Sequence, residues 1–155
     1  MTRCEVTPHA SSDGDTLAAR LAADVTLGIE RHLRRQPQAA IVVPGGRTPG
    51  AFLRALARQP LDWSRIRVTL ADERCVPLDD PDSNYHLARE ALLDRVGAAN
   101  ATFPMRCDEG ADPYQLRIGE LGRFDLVHLG LGPDGHTASL FPESGALDAD
   151  PGRLV

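Results

Sequence analysis

Phe124-Asp125-Leu126-Val127-His128-Leu129-Gly130-Leu131 runs directly into Gly132-Pro133-Asp134-Gly135-His136-Thr137-Ala138-Ser139-Leu140-Phe141-Pro142, and the join between them decides the fold. The first stretch is almost continuously apolar, the pattern of a strand covered on both faces of a parallel sheet. It stops at glycines, which can take positive φ. A carboxylate, Asp134, and an imidazole, His136, are therefore expected on a glycine-rich turn at the carboxyl end of a buried strand, where open α/β sheets bind their ligands.

The same grammar repeats upstream. Leu17, Leu21, Val25, Ile29 and Leu33 recur every four residues and predict a first helix with one apolar stripe, ending near Gln36-Pro37. Ala39-Ala40-Ile41-Val42-Val43 reads as a buried strand that breaks at Pro44-Gly45-Gly46. Thr48 and Pro49 read as N-cap and first residue of a second helix, with Phe52, Leu53 and Leu56 on its buried face. Ile66-Arg67-Val68-Thr69-Leu70 is a further strand ending at Asp72-Glu73-Arg74; Tyr85, Ala88, Leu92 and Val96 mark a third helix, and Tyr114, Ile118 and Leu121 a shorter one. This alternation predicts an α/β fold: a three-layer, doubly wound, mostly parallel sheet with helices on both faces.

A chain of 155 residues has room for one domain that buries roughly 70% of its unfolded surface, and a single domain over 1–155 is expected. The net charge of −5 argues against nucleic acid or an anionic membrane as partner, while leaving small anionic substrates open. All 17 basic residues are Arg, so Schiff-base chemistry on a lysine amine is excluded within this chain. Cys4, Cys75 and Cys107 are odd in number and widely spaced; they suggest neither a disulfide framework nor a zinc site and read as reduced thiols. Met1-Thr2-Arg3-Cys4-Glu5-Val6 has no apolar signal region, and no apolar stretch approaches the ~20 residues of a membrane span. A soluble, cytoplasmic protein is expected.

Three loops then fall on one edge of the predicted sheet. Pro44-Gly45-Gly46-Arg47-Thr48-Pro49 reads either as an anion cradle ahead of a helix N-terminus, suited to phosphate, or as a tight strand-to-helix turn. Asp72-Glu73-Arg74 reads either as a surface ion cluster or as an Arg74 that holds anionic charge beside an orienting Asp72. In Asp134-Gly135-His136, His136 is either a general base, with Asp134 orienting it or binding substrate hydroxyls, or a packed turn residue. His9, His32, His86 and His128 are assigned to surface or packing roles.

Taken together, Gly45-Gly46-Arg47-Thr48-Pro49, Asp72-Glu73-Arg74-Cys75-Val76-Pro77, Asp82-Ser83-Asn84-Tyr85 and Leu129 to Pro142 resemble, in order and spacing, the 6-phosphogluconolactonase family, within the group that also contains glucosamine-6-phosphate deaminase. The resemblance implies hydrolysis of 6-phosphoglucono-δ-lactone to 6-phosphogluconate in the oxidative pentose phosphate pathway. It implies a carboxylic ester hydrolase of carbohydrate metabolism with no metal or organic cofactor and a small sugar-phosphate lactone as partner. It assigns His136, Asp72, Arg74 and Asp134 to catalysis, with His136 activating water. Gly45, Gly46, Arg47, Thr48 and Asn84 fall to the substrate and its phosphate. The deaminase relatives carry a catalytic Glu where this chain has Phe141 and lack the Arg found here as Arg74. A deaminase-like isomerase and a non-catalytic sugar-phosphate-binding module are the alternatives.

Two departures follow. Pro44 stands where the lactonases have a small residue, which removes an N–H and a hydroxyl and is expected to weaken phosphate binding. Leu154-Val155 looks like the start of a further strand, so the chain is expected to be C-terminally truncated, without the later basic residue that the family uses for phosphate. No oligomeric state follows from the sequence.

Overall fold

The computed structural model describes residues 6–46, 48–98 and 102–150. Three parallel strands, β1 (Ala39–Val43), β2 (Ile66–Leu70) and β3 (Leu126–Val127), form a sheet in the order β2-β1-β3. Ala39 pairs with Ile66 and Val43 with Leu70, while Ile41 and Val42 meet Leu126 and Val127 on the other side. Helix α1 (Gly14–Leu33) precedes β1, and α2 (Pro49–Leu56) is the crossover to β2. The return to β3 runs through α3 (Asn84–Ala88), a π-helical segment (Arg89–Leu93), α4 (Asp94–Val96) and α5 (Ala111–Glu120).

Alternation along the strands separates two packed faces. Ala39, Ile41, Val43, Ile66, Val68 and Leu70 join the main core with side chains of α1, α2 and the helical run from α3 to α4. Val42 and Thr69 point the other way, where the Tyr114 hydroxyl of α5 hydrogen-bonds the Thr69 hydroxyl. Helices thus cover both faces, as the strand and helix alternation predicts. Among the described residues, no helix is long and apolar enough to cross a membrane.

Four expectations are corrected. First, only the later part of the expected apolar stripe of α1 holds: Ile29 and Leu33 are in the core and Val25 packs against it, but Leu17 and Leu21 do not join it. Ala18, Ala22, Thr26, Ile29 and Leu33 are buried, and Leu21 is 36% exposed. A four-residue repeat drifts around a helix of 3.6 residues per turn and cannot hold one face. The small Ala18 and Ala22 take the core side, and buried Thr26 satisfies its hydroxyl on the Ala22 carbonyl at 2.7 Å.

Second, the strand expected over 124–131 shrinks to Leu126–Val127. Leu126 is half-buried against the core, but Val127 is 49% exposed, because α5 lies over β2 on that face. The strand is held by its backbone and one side chain: Asp125 N–H donates to the Ala40 carbonyl (2.8 Å), His128 N–H to the Val42 carbonyl (3.0 Å), and the Asp125 carboxylate accepts from Ala40 N–H (2.9 Å).

Third, Thr48 occupies the N-cap position of α2 but has helical dihedrals and makes no side-chain capping bond. Pro49 is the first helical residue, as expected.

Fourth, the thiols of Cys75 and Cys107 are not reduced: they form a disulfide with Cα atoms 5.5 Å apart. The loop after β2 and the 3-10 turn Cys107–Glu109 converge across 32 residues of sequence, a proximity that spacing alone does not reveal. Cys4 lies outside the described residues. The cysteine count therefore no longer argues for a cytoplasmic location.

Candidate active site

Parallel strands place the ends of β1, β2 and β3 on one edge, and a cleft of about 640 Å³ opens there. It is lined by Gly45, Gly46 and Thr48 of the first loop, Asp72 and Arg74 of the second, and His136 of the third. Five of these six were named from sequence for their chemistry and the sixth, Thr48, both as part of the anion cradle and as a helix cap. Arg47 lies outside the described residues.

Asp72 holds the three loops together. Its Oδ2 accepts from the Ser139 hydroxyl of the third loop at 2.7 Å, and its Oδ1 from the Asn84 amide at 3.1 Å. The same amide donates to the Asp72 carbonyl at 3.0 Å. Asn84 was expected at the substrate; the structure buries it beneath the first loop instead, at 4% exposure. Any Cβ on Gly45 would overlap the Asn84 side-chain amide. The glycine before the turn is thus required by close approach, whereas Gly46 is required by a left-handed φ of +95°.

Glu73, read as part of a surface cluster, is buried and organises the second loop. One carboxylate oxygen accepts from the backbone N–H groups of Asn84 (2.7 Å) and Arg74 (2.6 Å), the other from Tyr85 N–H (2.9 Å) and the Ser83 hydroxyl (3.1 Å). It therefore satisfies orphan donors at the start of α3 and fixes Asn84 under Asp72. Sequence reading missed it because an acid between two charged residues at a strand end carries no mark of burial. Arg74 itself is exposed and has no salt-bridge partner among the described residues.

The third loop is a tight turn built around His136. Gly132 N–H donates to the His136 carbonyl (2.8 Å) and Gly135 N–H to the Gly132 carbonyl (3.0 Å), with Gly135 at φ +89°. A Cβ on Gly132 would strike the imidazole ring. Thr137 Oγ1 donates to the Gly130 carbonyl at 2.8 Å. Asp134 Oδ1 lies 2.5 Å from His136 Nδ1 and also accepts from His136 N–H. The bond from the His136 side chain, then that from its backbone, holds the Asp134 carboxyl below the ordinary carboxylate range. An ionised acceptor at Nδ1 selects the tautomer with its proton there and leaves Nε2 with a free lone pair. Phe141 stacks on the ring, centroids 4.7 Å apart and planes tilted by 32°.

His128, assigned to packing, is half-buried and meets Phe52 edge-on at 4.7 Å, but it also lines the cleft. No group of three or more His, Cys, Asp or Glu side chains placed to hold a metal ion occurs among the described residues.

Residues 12–155 match the sequence profile of the glucosamine-6-phosphate isomerases/6-phosphogluconolactonase family. The chain belongs to this family. Relatives include the 6-phosphogluconolactonase of Pseudomonas aeruginosa, 49% identical over 138 residues (84% of this chain and 58% of the relative), and that of Pseudomonas putida, 42% identical over 146 residues (91% and 60%). Among solved structures, a 6-phosphogluconolactonase from Shewanella baltica superposes with a TM-score of 0.83 at 34% identity, covering 89% of this chain and 62% of that one. This member of the glucosamine-6-phosphate isomerase/6-phosphogluconolactonase family thus spans about three-fifths of the length of the curated relatives it matches.

Proposed function

We propose that the cleft binds 6-phosphoglucono-δ-lactone and that the chain hydrolyses it to 6-phosphogluconate, as a 6-phosphogluconolactonase of the oxidative pentose phosphate pathway. The observation that carries this reading is the Asp134–His136 pair: a carboxylate on Nδ1 leaves Nε2 unengaged among the described residues, in a residue that lines the cleft with Arg74 and the Gly45-Gly46 turn.

Nε2 of His136 takes a proton from water as the water oxygen attacks the lactone carbonyl carbon. The oxyanion so formed meets positive charge at Arg74, whose guanidinium has no competing carboxylate among the described residues. Collapse breaks the carbonyl-carbon bond to the ring oxygen, which leaves with the proton from His136, and the open-chain acid results. Asp72 keeps the loops in register and Asp134 keeps the tautomer. Gly45, Gly46, Arg47 and Thr48 serve the phosphate. Asn84 supports Asp72 and does not touch substrate. A cytoplasmic location forms part of the same proposal.

An amino-sugar isomerisation would need another acid/base group near His136, and Phe141 stacks there instead. The purified 155-residue chain is expected to accelerate lactone hydrolysis above the spontaneous rate, and His136→Ala to remove most of that gain. Equal rates for the two proteins would sink the proposal. Binding of 6-phosphogluconate with no acceleration by either would instead favour a sugar-phosphate-binding module, the reading that partial coverage of the relatives keeps in play.

A further inference from the structure

One ring in the cleft has no part in the chemistry above. His128 sits just beyond β3, anchored by its N–H on the Val42 carbonyl at 3.0 Å, and Phe52 of α2 meets its ring edge-on at 4.7 Å. Its Nδ1 is sealed from solvent and has no hydrogen-bond partner among the described residues. Its Nε2 is not sealed, and the residue forms part of the cleft wall with the Gly45-Gly46 turn and His136.

Burial lowers the pKa of this imidazole, which keeps it neutral near pH 7. A neutral ring carries one N–H, and an N–H sealed without an acceptor is rarer and costlier than a lone pair without a donor. The proton therefore belongs on Nε2. With Nδ1 sealed and Phe52 against the ring, the donor is oriented before any ligand arrives. Its position in the sequence gives no hint of this, because an imidazole in an apolar strand reads as packing.

We propose that His128 is a ligand-binding residue that donates an Nε2–H hydrogen bond to an acceptor oxygen of the sugar phosphate in the cleft. This rests on the functional reading above and adds a specificity contact to it. The contact serves binding; the proton transfers stay with His136.

The test is calorimetric titration of the 155-residue chain with 6-phosphogluconate, comparing wild type with His128→Phe and His128→Gln. Phe keeps an aromatic ring against Phe52 and removes the donor; Gln restores a donor of similar reach. One neutral hydrogen bond corresponds to about a three- to tenfold change in Kd, so Phe is expected to weaken binding by that factor and Gln to recover much of it. Parallel titration with inorganic phosphate and with gluconate identifies the acceptor: a loss with phosphate assigns it to the phosphoryl group, a loss with gluconate to the polyol chain.

Equal affinity of wild type and His128→Phe overturns the inference, as does an equal loss in both variants. If either variant fails to fold, long-range proton–nitrogen NMR of the wild type decides: saturation with 6-phosphogluconate is expected to shift the His128 Nε2 resonance, and an unmoved resonance overturns the inference. A wild type that binds no 6-phosphogluconate overturns the functional reading itself, and this inference with it.

Discussion

At the scale of single residues, the turn around His136 shows how much chemistry rests on spacing. Asp134 reaches Nδ1 from only two residues away because Gly135 takes φ +89° and Gly132 leaves room for the ring. Asp134→Asn would replace an obligate acceptor with an amide able to present either end, so the Nδ1 proton is no longer fixed. A fall in kcat of about a hundredfold or more is expected, the range of general-base effects, with KM little changed. Steady-state hydrolysis measures it, and an unchanged kcat would remove Asp134 from the mechanism.

The same pair makes a prediction about pH. The Asp134 carboxyl is held below its usual range by the His136 side chain and then by the His136 N–H. A group whose folded pKa is depressed contributes its stabilisation in full above the unfolded value, about 3.9 for Asp, and loses it as pH falls through the folded value. The turn should therefore stay intact from neutrality down past pH ~4 and open only in stronger acid. A carbon-13 NMR titration of the Asp134 carboxyl should show a midpoint below that of an exposed Asp; a midpoint at or above it contradicts the pairing.

At the scale of elements, two devices set the second loop. Glu73 accepts four hydrogen bonds, three from backbone N–H groups: three of the four donors sit at the start of α3 and the fourth is Arg74 N–H. Glu73→Gln keeps the shape but turns one acceptor into a donor facing donors. A loss of about 2 kcal/mol or more is expected from hydrogen bonds to a buried charge, together with weaker ligand binding, because Asn84 and with it Asp72 lose their seat. Urea unfolding and calorimetry check both halves. The disulfide between Cys75 and Cys107 fastens the residue after Arg74 to the turn before α5. With its ends 32 positions apart in sequence, breaking it by Cys107→Ser is expected to cost about 3.7 kcal/mol by loop-closure entropy. Thermal melts with and without reductant test this, and coincident melts would mean that the bridge adds no stability.

Legibility in the sequence divides along the same line. Elements with a local cause were readable: β1 and β2 occupy the residues that their β-branched runs indicated, and Pro49 opens α2. The three loops were placed on one edge by topology alone, and the cleft gathers them. What stayed hidden depends on partners distant in sequence. Burial of Glu73 needs α3, the seat of Asn84 needs Gly45, and the disulfide needs the turn before α5. The start of the α1 stripe was misread for a related reason: Leu17 and Leu21 look like core, but Ala18 and Ala22 take the core side there, and the leucines border the cleft.

At the scale of the whole molecule, the sheet is asymmetric in what it covers. The described residues pair β3 on one side only, with β1. On and beyond β3, Val127 and Leu129 are each 49% exposed and Leu131 80%. An edge strand normally carries charge, proline or a bulge that discourages pairing with another chain; here the segment from Leu126 to Leu131 contains only His128 as a polar side chain. Apolar side chains beside unpaired backbone N–H and C=O groups form a template for a second copy. The 155-residue chain is therefore expected to self-associate as its concentration rises, by edge pairing along β3. Sedimentation velocity over a concentration series should show a growing dimer or larger species, and Val127→Lys should return the chain to monomer by placing charge on the exposed face of the edge. Because Val127 points away from the core, the substitution should leave the melting temperature within a few degrees, consistent with the ±0.5 kcal/mol typical of surface changes. A chain that stays monomeric throughout, or one whose association Val127→Lys does not alter, would show that the β3 edge is protected by something other than its own sequence.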